Sequence, residues 1–250
     1  NSELDLLVSY KAHNDDPRIP EVAKDMANEL GAKGNQYPDF LPRMAQFELT
    51  LLDWAEKNKG AREYVVFADK CWPAFPEAFG FEPCYVNSRM AAKGIPVACE
   101  VDIYGGLSEY IGTCVTGSPV TLLDINNSVP ADMYNSEIKG KFKYDYKLTD
   151  TFMGFHCGNT PFCCLNESSC PAVKYQLIQH RLLEPKGSDP DFTRGTLEGD
   201  IKPGEITFFR LHANADGKLQ AYIAQGEVLP VPTRSFGGIG VFAIPEMGRF

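Results

Sequence analysis

The segment "PVACEVDIYGGLSEYIGTCVTGSPVTLLDINN", Pro96 to Asn127, decides the reading of the fold. It sets Glu100 and Asp124 at the ends of two short apolar runs, "IPVACEVD" and "SPVTLLDIN", each read as a buried strand. Between them "IYGGLSEYIGTCVTG" reads as one helix closed by Gly117. Strand, helix and strand with short connections predict a parallel sheet covered by helices. Ligands collect outside the carboxyl ends of such strands. Two acids arriving there in register therefore point to a site, although strand-end acids also serve as turn caps facing water. Asp102 shares the first strand end and is read as the N-cap of the helix that follows.

Working outward, the same alternation holds upstream. "RMAQFELTLLDWAEKNKG" puts Phe47, Leu51, Trp54 and Ala55 on one helical face, with Gly60 as a stop. "EYVVFAD" reads as a buried strand, and "EPCYVNSRMAAKG" as a helix with Pro in its first turn and Gly94 past its end. Residues 1–40 are rich in loop signals, with one helix expected over 20–32. Beyond Val129 the grammar changes to short strands separated by Gly, Pro and Asp: "VKYQLI", "TRGTLEGD", "EITFFRLHA", "KLQAYIAQGEVL" and "GIGVFAI". "NADGK" between two of them is a hairpin signal. The expected fold class is α/β: a partial Rossmann-like parallel layer over residues 1–125, then an antiparallel β-barrel-like domain over 126–250. Asp124 would lie at their junction.

The bulk numbers exclude several classes. A chain of 250 residues, 44% hydrophobic, can bury a sizeable core. A net charge of −9 argues against a nucleic-acid partner, which needs clustered cations. No apolar run reaches the roughly 18 residues of a membrane span. The opening "NSELDLLVSY" has neither an initiator Met nor the basic-then-apolar order of a signal peptide, and it reads as an internal start. Of the eight cysteines, Cys71, Cys84, Cys99 and Cys114 are scattered through apolar segments, where they behave as small hydrophobes and fit a reducing cytoplasm. His156, Cys157, Cys163, Cys164 and Cys170 lie close together, but their spacing matches no usual zinc finger or ribbon.

Among candidate residues, paired carboxylates can hold a hard divalent cation and move protons. Glu100 and Asp124 are the first such pair. His156 ends an apolar run ahead of Gly-Asn and can face the same cleft, whereas His180 and His212 sit among large residues as structural groups and His13 lies in a polar loop. Trp72, just past a strand end, offers a ring face for a sugar or for the core, and Asn126 is a further sugar-contacting candidate. The glycines of "RSFGGIG" lack the flanking strand and helix of a dinucleotide fingerprint.

From Phe47 onward the sequence resembles the L-fucose/L-arabinose isomerase superfamily, on the fucose isomerase side. The resemblance is carried by "ACEVDIYGGLSEYIGTCVTGSPVTLLD", "GFHCGNTP", "GTLEGDIKPGEITFFRL" and "AQGEVLPVPTRSFGGIGVFAIPEMGRF". In that family a Glu-x-Asp strand end leads to a helix ending near Thr-Gly and then to a metal-binding Asp; Glu100-Val101-Asp102, Thr116-Gly117 and Asp124 follow this order. The resemblance implies an aldose–ketose isomerase with an ene-diol mechanism, using Mn2+ or another divalent cation such as Mg2+. It makes Glu100 and Asp124 metal ligands and the acid/base pair, and His156 a further metal ligand. It also implies a homo-oligomer, trimer or hexamer, acting on an aldose or ketose. The family has a preceding domain and a metal-binding His after its final strands, and no His follows His212 here. The expectation is therefore a fragment of a longer isomerase, with little activity alone. The rival class is a non-catalytic carbohydrate-binding relative that keeps the fold.

Overall fold

The computed structural model describes residues 3–31, 41–71, 74–166, 176–177, 195–233 and 237–247. Three helices open it: α1 (Glu3–Ala12), α2 (Ile19–Glu29) and α3 (Leu41–Asn58). α2 carries Pro20 in its first turn, where the missing N–H costs nothing. It is the helix expected over 20–32; α1 is an addition to that reading. α3 buries Met44, Phe47 and Leu51, and the Phe47 ring lies edge-on to Phe75 and Phe81, 5.0 and 6.2 Å between centroids.

Next come β1 (Phe67–Ala68), α4 (Ala74–Phe79), α5 (Cys84–Ala92), β2 (Val97–Ala98) and α6 (Ile103–Thr116). α5 brings Arg89 into the interior at 3% exposure. A cation there requires compensation, and it donates to Glu48 (2.6 Å), Asp25 (2.7 Å) and Glu29 (2.9 Å). This ties α5 to α2 and α3. β1 and β2 pair in parallel, Phe67 opposite Val97 and Ala68 opposite Ala98. α6 lies against them, and Gly106 makes this possible: a Cβ there would come within 2.8 Å of Val66 Cγ1. Asp102 caps α6 by accepting the Gly105 N–H at 2.8 Å, and Gly117 ends it at φ 63°.

Among the described residues the parallel sheet stops at two strands. The expected third strand, "SPVTLLDIN", instead begins its ladder at Asp124: β3 (Asp124–Ser128) pairs antiparallel with β4 (Thr151–His156). Pro119 has no N–H to offer a ladder. The apolar residues after it fill gaps instead: Val120 lies over Gly112, Leu122 over Gly105, and Leu123 packs on the main core.

The remaining strands are β5 (Gln176–Leu177), β6 (Leu197–Asp200), β7 (Gly204–Ala213), β8 (Leu219–Leu229) and β9 (Gly238–Ala243). With β3 and β4 they form a seven-stranded sheet, antiparallel except where β6 meets β9. The wholly buried β9 is its hub. β4 runs along its full length, while β6 at Gly238–Ile239 and β8 at Val241–Ala243 also pair with it. β7 and β8 form the expected hairpin, closed by the Asn214 N–H on Lys218 O (2.9 Å) with Gly217 at φ 74°.

Among the described residues the sheet branches and stays open, so the barrel-like closure expected for this half is not what the ladders form. α6 packs against β7. Arg210 forks onto Asp102 (2.6 and 2.9 Å), and the Leu211 N–H donates to Ser108 Oγ (2.9 Å). The main hydrophobic cluster draws Met26, Phe47, Phe81 and Tyr85 together with Phe152, Leu197, Val228 and Phe242, so it spans both sides of residue 125. No helix among the described residues is long and apolar enough to cross a membrane.

Candidate active site

Glu100 leaves β2 on a tight turn in which it and Val101 both adopt left-handed backbone, φ 63° and 58°. For L-residues this costs roughly 1–2 kcal/mol each, and a β-branched Val is among the poorest fits. The turn is held by the Val101 N–H on Asp69 O (2.7 Å) and the Asp102 N–H on Cys99 O (3.2 Å). Glu100 is left exposed at the carboxyl end of the parallel pair.

Asp124, also exposed, opens β3 opposite Phe155, the neighbour of His156 at the end of β4. His156 is 6% exposed. Burial lowers its pKa, and the carboxylates of Asp124 and then Glu100 work against that shift. Both acids are thus within electrostatic reach of one imidazole, and the sequence's three metal-site candidates share a neighbourhood. Their ligand atoms do not all lie within 4.8 Å of one another; the group of described residues that meets that condition is His13, Asp16 and Asp53. There a cation is already supplied, because Arg18 donates to Asp16 (2.6 Å) and Asp53 (2.5 Å).

The His156 Nδ1 accepts the Cys157 N–H at 2.9 Å. The neutral ring therefore carries its proton on Nε2 and presents a donor rather than a lone pair. Glu100 and Asp124 are hard oxygen donors of the kind that suits Mn2+ or Mg2+; His156, in this tautomer, suits a sugar or carboxylate oxygen. Asn126 is the extra residue of a β-bulge, since the β3–β4 register shifts between Ile125 and Asn127. Bulges commonly re-aim side chains beside active sites. Trp72, His180 and Cys170 lie outside the described residues. His212 stacks on Tyr222, 4.7 Å between centroids and 4° between planes, as a structural group would.

Several groups on β1, β2, α6 and their flanks escaped the sequence reading. Asp69 closes β1 as Glu100 closes β2. Its Oδ2 accepts from Asn87 (2.9 Å), its Oδ1 is shielded without a partner, and burial raises its pKa to about 6. The signal was present in "VVFAD", an acid ending an apolar run. Beside it the Cys71 and Cys99 sulfurs are 3.3 Å apart. On α6, Glu109 is 5% exposed and burial pushes its pKa up to about 8, against a backbone hydrogen bond from Leu122. Burial also works to raise the Asp102 carboxyl, but the Arg210 guanidinium outweighs it and holds it below its usual value.

Comparison with known proteins finds similarity over the strand-rich half and beyond it. Residues 154–250, from within β4 through β9, match the family model of the L-fucose isomerase C-terminal domain. Over that segment the chain is similar to the L-fucose isomerase family. A sulfoquinovose isomerase of Clostridium sp. (strain MSTE9) is 30% identical over 180 residues, covering 72% of this chain and 34% of that protein. The sulfoquinovose isomerase of Alkalicoccus urumqiensis is 26% identical over 239 residues, covering 94% of this chain and 46% of its own. The chain spans less than half the length of either relative.

Proposed function

We propose that the protein is the part of a sugar isomerase that carries the acid pair, interconverting an aldose and its ketose through an ene-diol. The observation that carries this is the left-handed Glu100–Val101 turn, which spends backbone strain to hold an exposed carboxylate near Asp124 and His156. The relatives named as sulfoquinovose isomerases support a sugar substrate, and a sulfonated aldose belongs beside fucose and arabinose among the candidates.

A divalent cation, Mn2+ by preference, held by Glu100 and Asp124 would polarise the carbonyl and hydroxyl oxygens at C1 and C2. One of the two carboxylates takes the proton from C2 and returns it at C1. His156 holds a sugar oxygen through its Nε2–H, and its burial keeps it neutral so that it does not compete with a cation for the acids. Asn126 on its bulge offers a further amide to the sugar's hydroxyls. The protein works in the cytoplasm as a homo-oligomer; apolar side chains left exposed at Ile103 and Ile125, next to Asp102 and Asp124 in the chain, suit a subunit contact.

The test is Mn2+ titration and an aldose panel that includes sulfoquinovose, fucose and arabinose. Binding that is lost in Glu100→Gln and Asp124→Asn supports the site, and turnover of any aldose identifies the substrate. The spread of the three ligand groups beyond 4.8 Å favours one alternative, a sugar-binding relative without catalysis. Sugar affinity that persists without Mn2+ and is untouched by Glu100→Gln would decide for it.

A further inference from the structure

We infer that Cys71 and Cys99 form a redox pair, oxidised by a hydroperoxide to a disulfide that moves the Glu100 turn and so switches the site. The two cysteines lie just past β1 and β2, the strand ends that carry Asp69 and Glu100. Their sulfurs are already in contact at 3.3 Å, so a bond of about 2.0 Å requires an approach of little more than an ångström. The two are chemically unequal. Cys71 is half-buried and reachable from solvent, whereas Cys99 is 4% exposed.

Cys71 is therefore the sulfur that a peroxide meets first. Its thiolate attacks the peroxide, the O–O bond breaks, and one oxygen stays on sulfur as a sulfenic acid while the other leaves as water or alcohol. Cys99 then attacks the sulfenyl sulfur and expels its oxygen as water, giving the disulfide. Overall two thiols and one hydroperoxide give one disulfide, one alcohol or water, and one further water. A dithiol reductant reverses it by thiol–disulfide exchange.

The residues after Cys99 connect the disulfide to the site. Glu100 and Val101 are left-handed, and the Val101 N–H bonds to Asp69 O at 2.7 Å. That bond joins the same two strand ends that the disulfide would draw together. A strained turn persists only where its surroundings over-determine it, so moving either strand end moves the turn. The chemical half of this inference is independent of the isomerase reading; its effect on cation binding rests on that reading.

The test treats the full chain with hydrogen peroxide. The expected result is a loss of about 2 Da restored by dithiothreitol, a Cys71–Cys99 linked peptide absent from Cys71→Ser, and changed amide exchange at Val101. Mn2+ affinity is expected to change on the order of tenfold, the scale of an altered ligand support. Two outcomes overturn the inference: both thiols staying free or linking elsewhere, such as Cys163 to Cys164, or a Cys71–Cys99 link that leaves Val101 exchange unchanged. If neither redox form binds Mn2+, the cation site fails, while peptide mapping and Val101 exchange still decide the pair.

Discussion

Replacing Glu109 by Gln should stabilise the protein, and by an amount that grows with pH. Glu109 is enclosed between α6 and the segment carrying Leu122; its Oε2 has no partner and its pKa stands at about 8 against an unfolded value of 4.5. Because the folded value is the higher one, the folded chain binds the extra proton between these limits. The penalty is absent below the unfolded value, builds as pH rises, and is complete above the folded one. Linkage puts it at about 1 kcal/mol at pH 5, about 3 kcal/mol at pH 7 and nearly 5 kcal/mol above pH 9. Gln keeps the acceptor for the Leu122 N–H and cannot ionise, so it removes the pH-dependent part. Urea denaturation of wild type and Glu109→Gln at pH 5, 7 and 9 measures the gap. A gap of the same size at all three would refute the reasoning, because it would come from packing rather than from charge.

Other substitutions test the packing. Arg89→Met leaves Glu48, 2% exposed, with the more distant Lys93 ammonium (3.4 Å) in place of the buried guanidinium, and should cost about 3 kcal/mol in denaturant unfolding; adding Glu48→Gln should recover part of it. Gly226→Ala places a Cβ 2.3 Å from the Ala243 carbonyl oxygen, forcing β8 off β9, and should lower stability by about 1–3 kcal/mol in the same assay. Arg210→Ala removes the fork that holds Asp102 ionised. Asp102 has a lowered folded pKa, so this contribution is present above its ordinary value of 3.8 and is lost as pH falls through the lower folded value. The deficit of Arg210→Ala, about 1 kcal/mol near neutrality for so exposed a pair, should therefore shrink in acid titrations.

How much the sequence discloses depends on which signals are local. α6 is legible end to end because Asp102 and Gly117 punctuate it, and α3 because its apolar residues recur on one face. α1 escapes because no single stripe marks it; Leu4 and Val8 point to solvent while Tyr10 packs inward. "SPVTLLDIN" misleads because a short apolar run reads alike whether it ladders with strands or fills gaps beside a helix. The neighbourhood of Glu100, Asp124 and His156 can be anticipated, since acids at the ends of apolar runs mark strand termini. Which nitrogen of His156 is free depends on a backbone bond one residue on, and that is geometry rather than composition. Arg210 meeting Asp102 and Cys71 meeting Cys99 are pairings across long stretches of chain, which periodicity does not encode.

The position of β9 also governs when the sheet can form. As the ribosome makes the chain, β4, β6 and β8 all emerge before the strand that joins them. Until Gly238–Ala243 is released, each has an unfilled edge and no common partner. The helical layer has mostly near neighbours and can condense early, but the sheet must wait, as folds rich in distant contacts do. During that interval the long β7–β8 hairpin and the β3–β4 pair are the edges most open to wrong partners. Chaperone dependence during synthesis, rather than instability afterwards, is the liability built into this topology.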